Sequence, residues 1–303
     1  MKMQYFLLTE NVIIISHAAL IFDLEGVLID HTARQCEIAS KALASIDIEM
    51  EVTPQMYQLR SEREFHITKD FISGLYAMHK GRLSLDAIIE DPSAITQSRG
   101  MLGDVDWKLV DEAVRRFDTL RSKGVLEMDG KTFRIMANEP ALPGIKQMLH
   151  NAIEGGYKIA MVTAGKKVDA EKFMRDAGLL RYFEPGLMLY GEDKVTKEGL
   201  FGSLSSLFES TYGIPRSYQF VVEDSLSGIK DAIANRLSPV LVLSGNTSER
   251  RAQRYILEVK PALITLVRNP RDVLNAVSNL IDIDKTLKDT MRGAKGSRYK
   301  MRN

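Results

Sequence analysis

One stretch decides the fold: Leu20-Ile21-Phe22-Asp23-Leu24-Glu25-Gly26-Val27-Leu28-Ile29-Asp30. It begins as an apolar run, typical of a buried parallel strand, and continues into two carboxylates two residues apart and a glycine. Open α/β sheets bind ligands at the carboxyl ends of their strands. Because residues two apart on an extended chain share a face, Asp23 and Glu25 could both face one small substrate. Gly26 allows the chain to turn sharply behind them.

Composition excludes several classes of protein. Apolar residues make up 45% of the 303 residues and charged residues 27%, as in ordinary soluble proteins. The net charge of +1 predicts no general attraction to nucleic acid or to an acidic membrane surface. The single cysteine, Cys36, excludes an intramolecular disulfide, suits a reducing compartment and is expected to be a small buried or half-buried helix residue.

The first residues carry no targeting signal that we recognise. No apolar run in residues 1–17 approaches the roughly 18 residues of a membrane span, and a signal-peptide cleavage pattern is absent. We interpret residues 1–17 as an N-terminal arm, and we expect a cytoplasmic protein without a membrane partner.

Strand and helix patterns alternate in the second half of the chain. After residue 138, they predict helices at residues 145–154 and 168–177 and strands at 158–162, 218–222, 240–243 and 264–267. This alternation indicates a parallel sheet with right-handed crossovers. Between residues 32 and 135 the spacing is helical, most clearly at Trp107, Val110, Val114 and Phe117, and predicts several short helices without strand–turn–strand units. The final residues, 285–303, contain seven Lys or Arg and one acid and are expected to be a solvated, poorly ordered terminus.

The polar residues at the predicted strand ends suit phosphoryl transfer. Carboxylates from Asp23, Glu25 and the pair Glu223-Asp224 would repel one another in one crevice unless a cation lay among them. Oxygen ligands without His or Cys favour Mg²⁺. The Thr163 hydroxyl and nearby backbone N–H groups could hold phosphate oxygens, and a lysine would offset their charge.

Four short stretches, in order, resemble motifs of the haloacid dehalogenase superfamily. Asp23-Leu24-Glu25-Gly26-Val27-Leu28 resembles motif I, and Thr163 matches motif II. Glu223-Asp224-Ser225-Leu226-Ser227-Gly228-Ile229 resembles the motif IV form of β-phosphoglucomutase-like members. The resemblance implies a Rossmann-like α/β core with a parallel sheet (residues 18–31 and 136–282), an inserted helical cap domain (32–135) and a basic C-terminal tail (283–303).

The resemblance also implies roles for the site residues. Asp23 would be the nucleophile, and Glu25 the acid/base in place of the usual aspartate, a replacement that enolase-phosphatases share. The metal ligands, for Mg²⁺, would be Asp23, the Glu25 backbone carbonyl, Glu223 and Asp224. The phosphate-binding residues would be Thr163, Ala164, Gly165 and a motif III lysine. The motif spacing leaves two candidates for that lysine, Lys197 and Lys194, of which we favour Lys197.

The resulting prediction is a Mg²⁺-dependent phosphatase that acts on a small phosphorylated metabolite through an aspartyl-phosphate. One alternative is a phosphomutase, which returns the phosphoryl group to a sugar instead of water. The other is a non-catalytic scaffold that binds a ligand or partner. Neither the substrate nor the oligomeric state follows from the sequence.

Overall fold

The computed structural model describes residues 18–57, 68–81, 84, 106–191, 196–245, 247–259 and 264–300. Its strands are β1 (Ala19–Phe22), β2 (Val125–Met128), β3 (Lys131–Arg134), β4 (Lys158–Thr163), β5 (Met188–Tyr190), β6 (Gln219–Glu223), β7 (Ser238–Val242) and β8 (Thr265–Val267). Its helices are α1 (Thr32–Ala44), α2 (Thr68–His79), α3 (Trp107–Lys123), α4 (Ile145–Glu154), α5 (Lys167–Asp176), α6 (Lys197–Tyr212), α7 (Leu226–Ala234), α8 (Glu249–Glu258) and α9 (Val273–Lys300).

Six strands form a parallel sheet in the order β5-β4-β1-β6-β7-β8. The strand β1 lies between β4 and β6, with Phe22 opposite Met161 on one side and Val222 on the other. The polar residues that follow β1, β4 and β6 therefore come out at one edge of the sheet. This architecture confirms the predicted α/β fold with a Rossmann-like parallel sheet.

The side chains of β1 alternate between two apolar cores. Leu20 and Phe22 pack on one face of the sheet, with residues of α4 and α9. Ala19 and Ile21 pack on the other face, with residues of α6. All four are fully buried, as a central strand covered by helices on both faces requires.

The inserted unit has its own core, built by α1, α2 and α3. Asp106 caps the start of α3 by accepting hydrogen bonds from the Lys108 and Leu109 amides, and Gly124 ends the helix in a left-handed conformation. Cys36 is buried in α1, as predicted.

The prediction that this unit lacks strand–turn–strand structure is wrong. The strands β2 and β3 pair as an antiparallel hairpin. Its turn is Asp129-Gly130, and both residues have positive φ, 49° and 72°. The Asp-Gly pair favours a tight turn of this kind, so the signal was present in the sequence.

The chain crosses between the sheet and the inserted unit twice, and the two crossings are joined by backbone hydrogen bonds. The Asp30 amide donates to the Pro140 carbonyl at 2.9 Å, and the Leu142 amide donates to the Leu28 carbonyl at 3.0 Å. Ile29 and Ala141 form an antiparallel bridge between them. The crossings thus form a short two-stranded ribbon.

The prediction of a poorly ordered terminus is wrong for residues 285–300, because they continue α9. Val273, Val277 and Ile281 fix the start of this helix in the sheet core at four-residue spacing. Further along, Asp284 accepts a hydrogen bond from Tyr218 at 2.5 Å and pairs with Lys288 at 2.6 Å.

No helix within the described residues is both long and apolar enough to cross a bilayer. The predicted N-terminal arm lies outside those residues.

Candidate active site

The site begins where β1 ends beside β6. Asp23 follows β1 directly, and its amide donates to the Val222 carbonyl at 3.0 Å, so the parallel pairing continues past the strand. Glu223 is the last residue of β6 and Asp224 the next. Three carboxylates from two neighbouring strands are thereby brought to one edge of the sheet, as the sequence predicted from strand ends.

Lys197 joins these carboxylates from α6. Thr196 caps the helix start by accepting the Gly199 amide, which makes Lys197 the first helical residue. A cation there opposes the helix dipole, but Lys197 Nζ lies 2.8 Å from Asp23 Oδ1 and also pairs with Glu223. Lys194, the alternative candidate, lies outside the described residues.

These contacts shift both ionisation equilibria. Burial and the neighbouring Glu223 charge raise the pKa of Asp23 from 3.8 to about 7, although Lys197 acts in the opposite direction. Burial alone would lower the pKa of Lys197, but Asp23 and Glu223 outweigh it and raise that pKa. Lys197 is therefore a fixed positive charge, and it does not by itself neutralise the carboxylates around it.

The residues present fit a hard divalent cation. One oxygen from each of Asp23, Glu223 and Asp224 lies within 4.8 Å of the others, and all three side chains are buried. Three carboxylates face one lysine, an excess of negative charge that a cation would relieve. The fit extends to the backbone: a Cβ added at either Gly26 or Gly245 would lie 2.1 Å from Asp224 Oδ2. Only glycine at these two positions leaves enough room for the Asp224 carboxylate.

The sequence after β6 holds the Glu223 carboxylate in place. The Ser225 hydroxyl donates to Glu223 Oε2 at 2.9 Å and accepts the Gly228 amide at 3.1 Å, which caps α7. A Cβ at Gly228 would lie 2.2 Å from the Glu223 carboxyl carbon. A glycine is therefore needed five residues after Glu223, because the Glu223 carboxylate occupies the space beside the first turn of α7.

Thr163 ends β4 on the other side of β1. It is buried, and its Oγ1 accepts a hydrogen bond from the Gly165 amide at 3.0 Å. Ala164 is exposed, and α5 begins two residues beyond Gly165. This hydroxyl and the amides of the turn leading into α5 form the kind of donor group that binds phosphate oxygens.

The Glu25 side chain has different neighbours from that of Asp23 and does not belong to the cluster of Asp23, Glu223 and Asp224. Its carboxylate lies 3.8 Å from the Arg121 guanidinium of α3, and its side chain is 32% exposed. Glu25, Arg121 and Thr163 line a cleft of about 340 Å³ between the sheet edge and the inserted unit. The two motif I carboxylates thus have different surroundings, one buried beside Lys197 and one facing a solvent-accessible cleft.

Sequence reasoning missed several residues of the site. Ser244 donates to the Gly26 carbonyl at 2.7 Å, and Thr247 donates to the Asp224 carbonyl at 2.6 Å. Both follow β7, so they could have been found by the same search for polar residues after a strand that identified Asp23 and Thr163. Arg34, Gln35, Arg121 and Glu139 also line the cleft. The sequence around these residues did not indicate this role, because their distance from the sheet edge depends on how α1 and α3 pack over the sheet.

Comparison with known proteins agrees with this geometry. A family model for haloacid dehalogenase-like hydrolases matches residues 17–200. A search of curated proteins gives no match.

Solved structures share the fold at low sequence identity. A candidate phosphoglycolate phosphatase from Lactobacillus delbrueckii subsp. bulgaricus is 17% identical, with a TM-score of 0.59, over 86% of this chain and 98% of that chain. A predicted phosphoglycolate phosphatase from Haemophilus somnus is 15% identical, with a TM-score of 0.55, over 85% and 96%. A candidate β-phosphoglucomutase from Thermotoga maritima is 19% identical, with a TM-score of 0.50, over 86% and 99%. At these identities the likeness shows the fold alone.

Proposed function

This chain belongs to the haloacid dehalogenase-like hydrolase family, and we propose that it is a phosphatase that hydrolyses a small phosphorylated metabolite. The observation that carries the proposal is the buried Asp23, 2.8 Å from Lys197 and clustered with Glu223 and Asp224. Phosphoryl transfer needs a positioned nucleophile and fixed positive charge at the transferred group. The cluster supplies the nucleophile, and Lys197 supplies part of the charge.

In the proposed first step, Asp23 attacks the phosphorus in line with the ester oxygen. A bond forms between the Asp23 oxygen and phosphorus, and the bond from phosphorus to the ester oxygen breaks. Glu25 gives its proton to the leaving oxygen, so the alcohol departs uncharged. The position of Glu25 in the cleft, away from the buried carboxylates, supports this role, because the cleft has room for a leaving group.

In the second step, water attacks the phosphorus of the aspartyl-phosphate. Glu25, now ionised, accepts a proton from that water, and the bond from phosphorus to Asp23 breaks. Inorganic phosphate leaves and Asp23 is regenerated. The Thr163 hydroxyl, the Ala164 amide and Lys197 would hold the phosphate oxygens in both steps, and the Gly165 amide, which donates to Thr163 Oγ1, would keep that hydroxyl in place.

Asp23, Glu223, Asp224 and the Glu25 backbone carbonyl would hold Mg²⁺. When bound, Mg²⁺ supplies charge that favours the ionised form of Asp23 and balances the phosphate oxygens. Ser225 and Gly228 keep Glu223 in place, and Gly26 and Gly245 leave room for the Asp224 carboxylate.

The test is phosphate release from a panel of phosphomonoesters, with and without Mg²⁺. We expect Mg²⁺-dependent release that Asp23→Asn lowers by at least about 1,000-fold, because the amide cannot act as the nucleophile. Asp176→Asn makes the same change at an exposed carboxylate of α5 and should retain full activity. A fully active Asp23→Asn protein would contradict the mechanism.

The same panel separates the alternatives. A phosphomutase would convert a sugar monophosphate to its isomer and depend on a sugar bisphosphate, with little phosphate released. A non-catalytic scaffold would bind a ligand tightly without Mg²⁺-dependent turnover. Either result would replace the phosphatase proposal.

A further inference from the structure

The cleft above the sheet edge contains two buried polar side chains whose oxygen atoms accept no hydrogen bond within the described residues. Glu139 is 6% exposed and Gln35 is 2% exposed, and both line the cleft. Within the described residues, neither Glu139 carboxylate oxygen accepts a hydrogen bond, and neither does Gln35 Oε1. Buried polar atoms almost always have partners, so three acceptors in one cleft indicate a ligand that donates hydrogen bonds.

Arg34 does not satisfy Glu139. Its Nη1 lies 3.6 Å from Glu139 Oε1, which is an ion-pair distance longer than a hydrogen bond. Its Nη2 donates to the Arg121 carbonyl at 3.1 Å, and the guanidinium lies over the Phe173 ring, 5.2 Å from the ring centroid. Other contacts therefore fix Arg34, and Glu139 keeps both oxygens available to a ligand.

The charges of the cleft select among possible ligands. The acidic side chains that line it are Glu25, Asp118, Glu139 and Asp169, and the basic ones are Arg34, Arg121 and Lys166. At the position of the unused acceptors, a ligand carboxylate would be repelled by buried Glu139, and an ammonium group would lie close to the Arg34 guanidinium, which is 3.6 Å from that carboxylate. A hydroxyl group avoids both costs, because it can donate to Glu139 or Gln35 and accept from Arg34. The partly buried ring of Phe173 offers an apolar surface for the carbon atoms of such a ligand.

We propose that Glu139 and Gln35 determine specificity, and that they select a phosphoester whose leaving group is an uncharged, hydroxyl-bearing alcohol over one that bears a carboxylate. The proposal rests on the phosphatase function for the position of the ester, since Glu25 and Thr163 line the same cleft. The selectivity comes from the unused acceptors: a leaving group that lacks donors leaves them buried and unpaired.

Two matched substrates test the proposal, glycerol 3-phosphate and 3-phosphoglycerate, which differ by a terminal hydroxymethyl group or a carboxylate. We expect the wild type to favour glycerol 3-phosphate in kcat/KM by at least about tenfold. Glu139→Gln, which keeps the size but removes the charge, should reduce that preference by about tenfold. Gln35→Met, which removes an acceptor, should lower kcat/KM for glycerol 3-phosphate by about fivefold, mainly through KM. Turnover of p-nitrophenyl phosphate is the third measurement, and it should respond to both variants less than turnover of glycerol 3-phosphate does, because its leaving group offers no hydroxyl to either residue.

The control is Glu184→Gln, the same change at an exposed glutamate outside the cleft, which should leave the preference unaltered. Calorimetric titration of the two esters into Asp23→Asn protein measures the same preference without turnover. A failure of catalysis is thereby separated from a failure of selectivity. A wild type without the preference in both assays, or a Glu139→Gln variant that lowers activity toward all three esters equally, would overturn the proposal.

Discussion

Lys197 Nζ lies 2.8 Å from Asp23 Oδ1 and pairs at the same time with Glu223, so one ammonium group serves two buried carboxylates from neighbouring strands. The three side chains are at most 15% exposed. This bridge orients Asp23 and limits the repulsion between the two acids.

Replacing Lys197 by Met should remove most activity while keeping the size of the side chain. Asp23 would then face Glu223 without a cation, and its pKa, already about 7, would rise further. We expect kcat to fall by at least about 100-fold, similar to the loss of one donor at a developing charge. Lys172→Met, at an exposed lysine of α5, is the matched control. Steady-state kinetics that show less than a threefold loss for Lys197→Met would contradict this role.

Gly245→Ala should weaken cation binding, because the added Cβ would lie 2.1 Å from Asp224 Oδ2 and displace that carboxylate. We expect the Kd for Mg²⁺, measured by calorimetry, to rise by at least about tenfold. Gly186→Ala is the control, since a Cβ there meets no atom within 4 Å. Equal Mg²⁺ affinity in the two variants would show that Asp224 does not hold the cation.

Ser225→Ala should affect both folding and activity. The hydroxyl caps α7 and also donates to Glu223 Oε2, so its loss should lower the free energy of unfolding by about 1 kcal/mol and release the carboxylate. Ser248→Ala removes the cap of α8, where the hydroxyl accepts the Arg251 amide, and should lower stability by a similar amount. Chemical denaturation and turnover, measured on both, should show matched stability losses but reduced activity for Ser225→Ala alone. An equal effect on activity in the two variants would mean that the Ser225 contact serves only the helix.

Glu139 should make stability depend on pH. Burial raises its pKa from 4.5 to about 7, against the opposing effect of Arg34. Between those pH values the folded protein keeps a proton that the unfolded chain has lost, so the free energy of unfolding falls as the pH rises from about 4.5 to 7 and is level above that.

Glu139→Gln should remove this contribution and leave the one from Asp23, whose pKa is also raised. At pH 8 the variant should be more stable than the wild type by about 1 to 2 kcal/mol, less than the full pKa difference would give because the cleft admits water. Near pH 4 the two proteins should be equal. Urea denaturation across this range is the measurement, and a wild-type protein that is more stable than the variant at pH 8 would reverse the expected sign.

The catalytic edge of the sheet was predictable because it depends on local patterns. Asp23, Thr163 and Glu223 each end an apolar strand, and parallel strands bring their carboxyl ends together whatever else the chain does. The helix 145–154 was predicted with the observed bounds, since a glycine on each side marks its limits.

The cleft was not predictable in the same way. Gln35 and Glu139 lie on segments about a hundred residues apart, and only the packing of α1 beside the sheet edge brings them to one cavity. Lys197 and Lys194 could not be separated by motif spacing, because a short insertion changes which one reaches Asp23. The hairpin was missed for a different reason: its Asp129-Gly130 turn lies in a region whose other signals are helical.

The ribbon formed by Asp30, Pro140 and their neighbours has a mechanical consequence. Two covalent connections that are hydrogen-bonded side by side act as a single joint, so the inserted unit is attached to the sheet along one line rather than at two separate points. Glu139 is the residue next to this joint on one strand, and Arg34 lies in the first helical turn beyond it on the other. The ion pair of Arg34 and Glu139, 3.6 Å apart, lies beside this line of attachment, where a rotation of the inserted unit would change distances least.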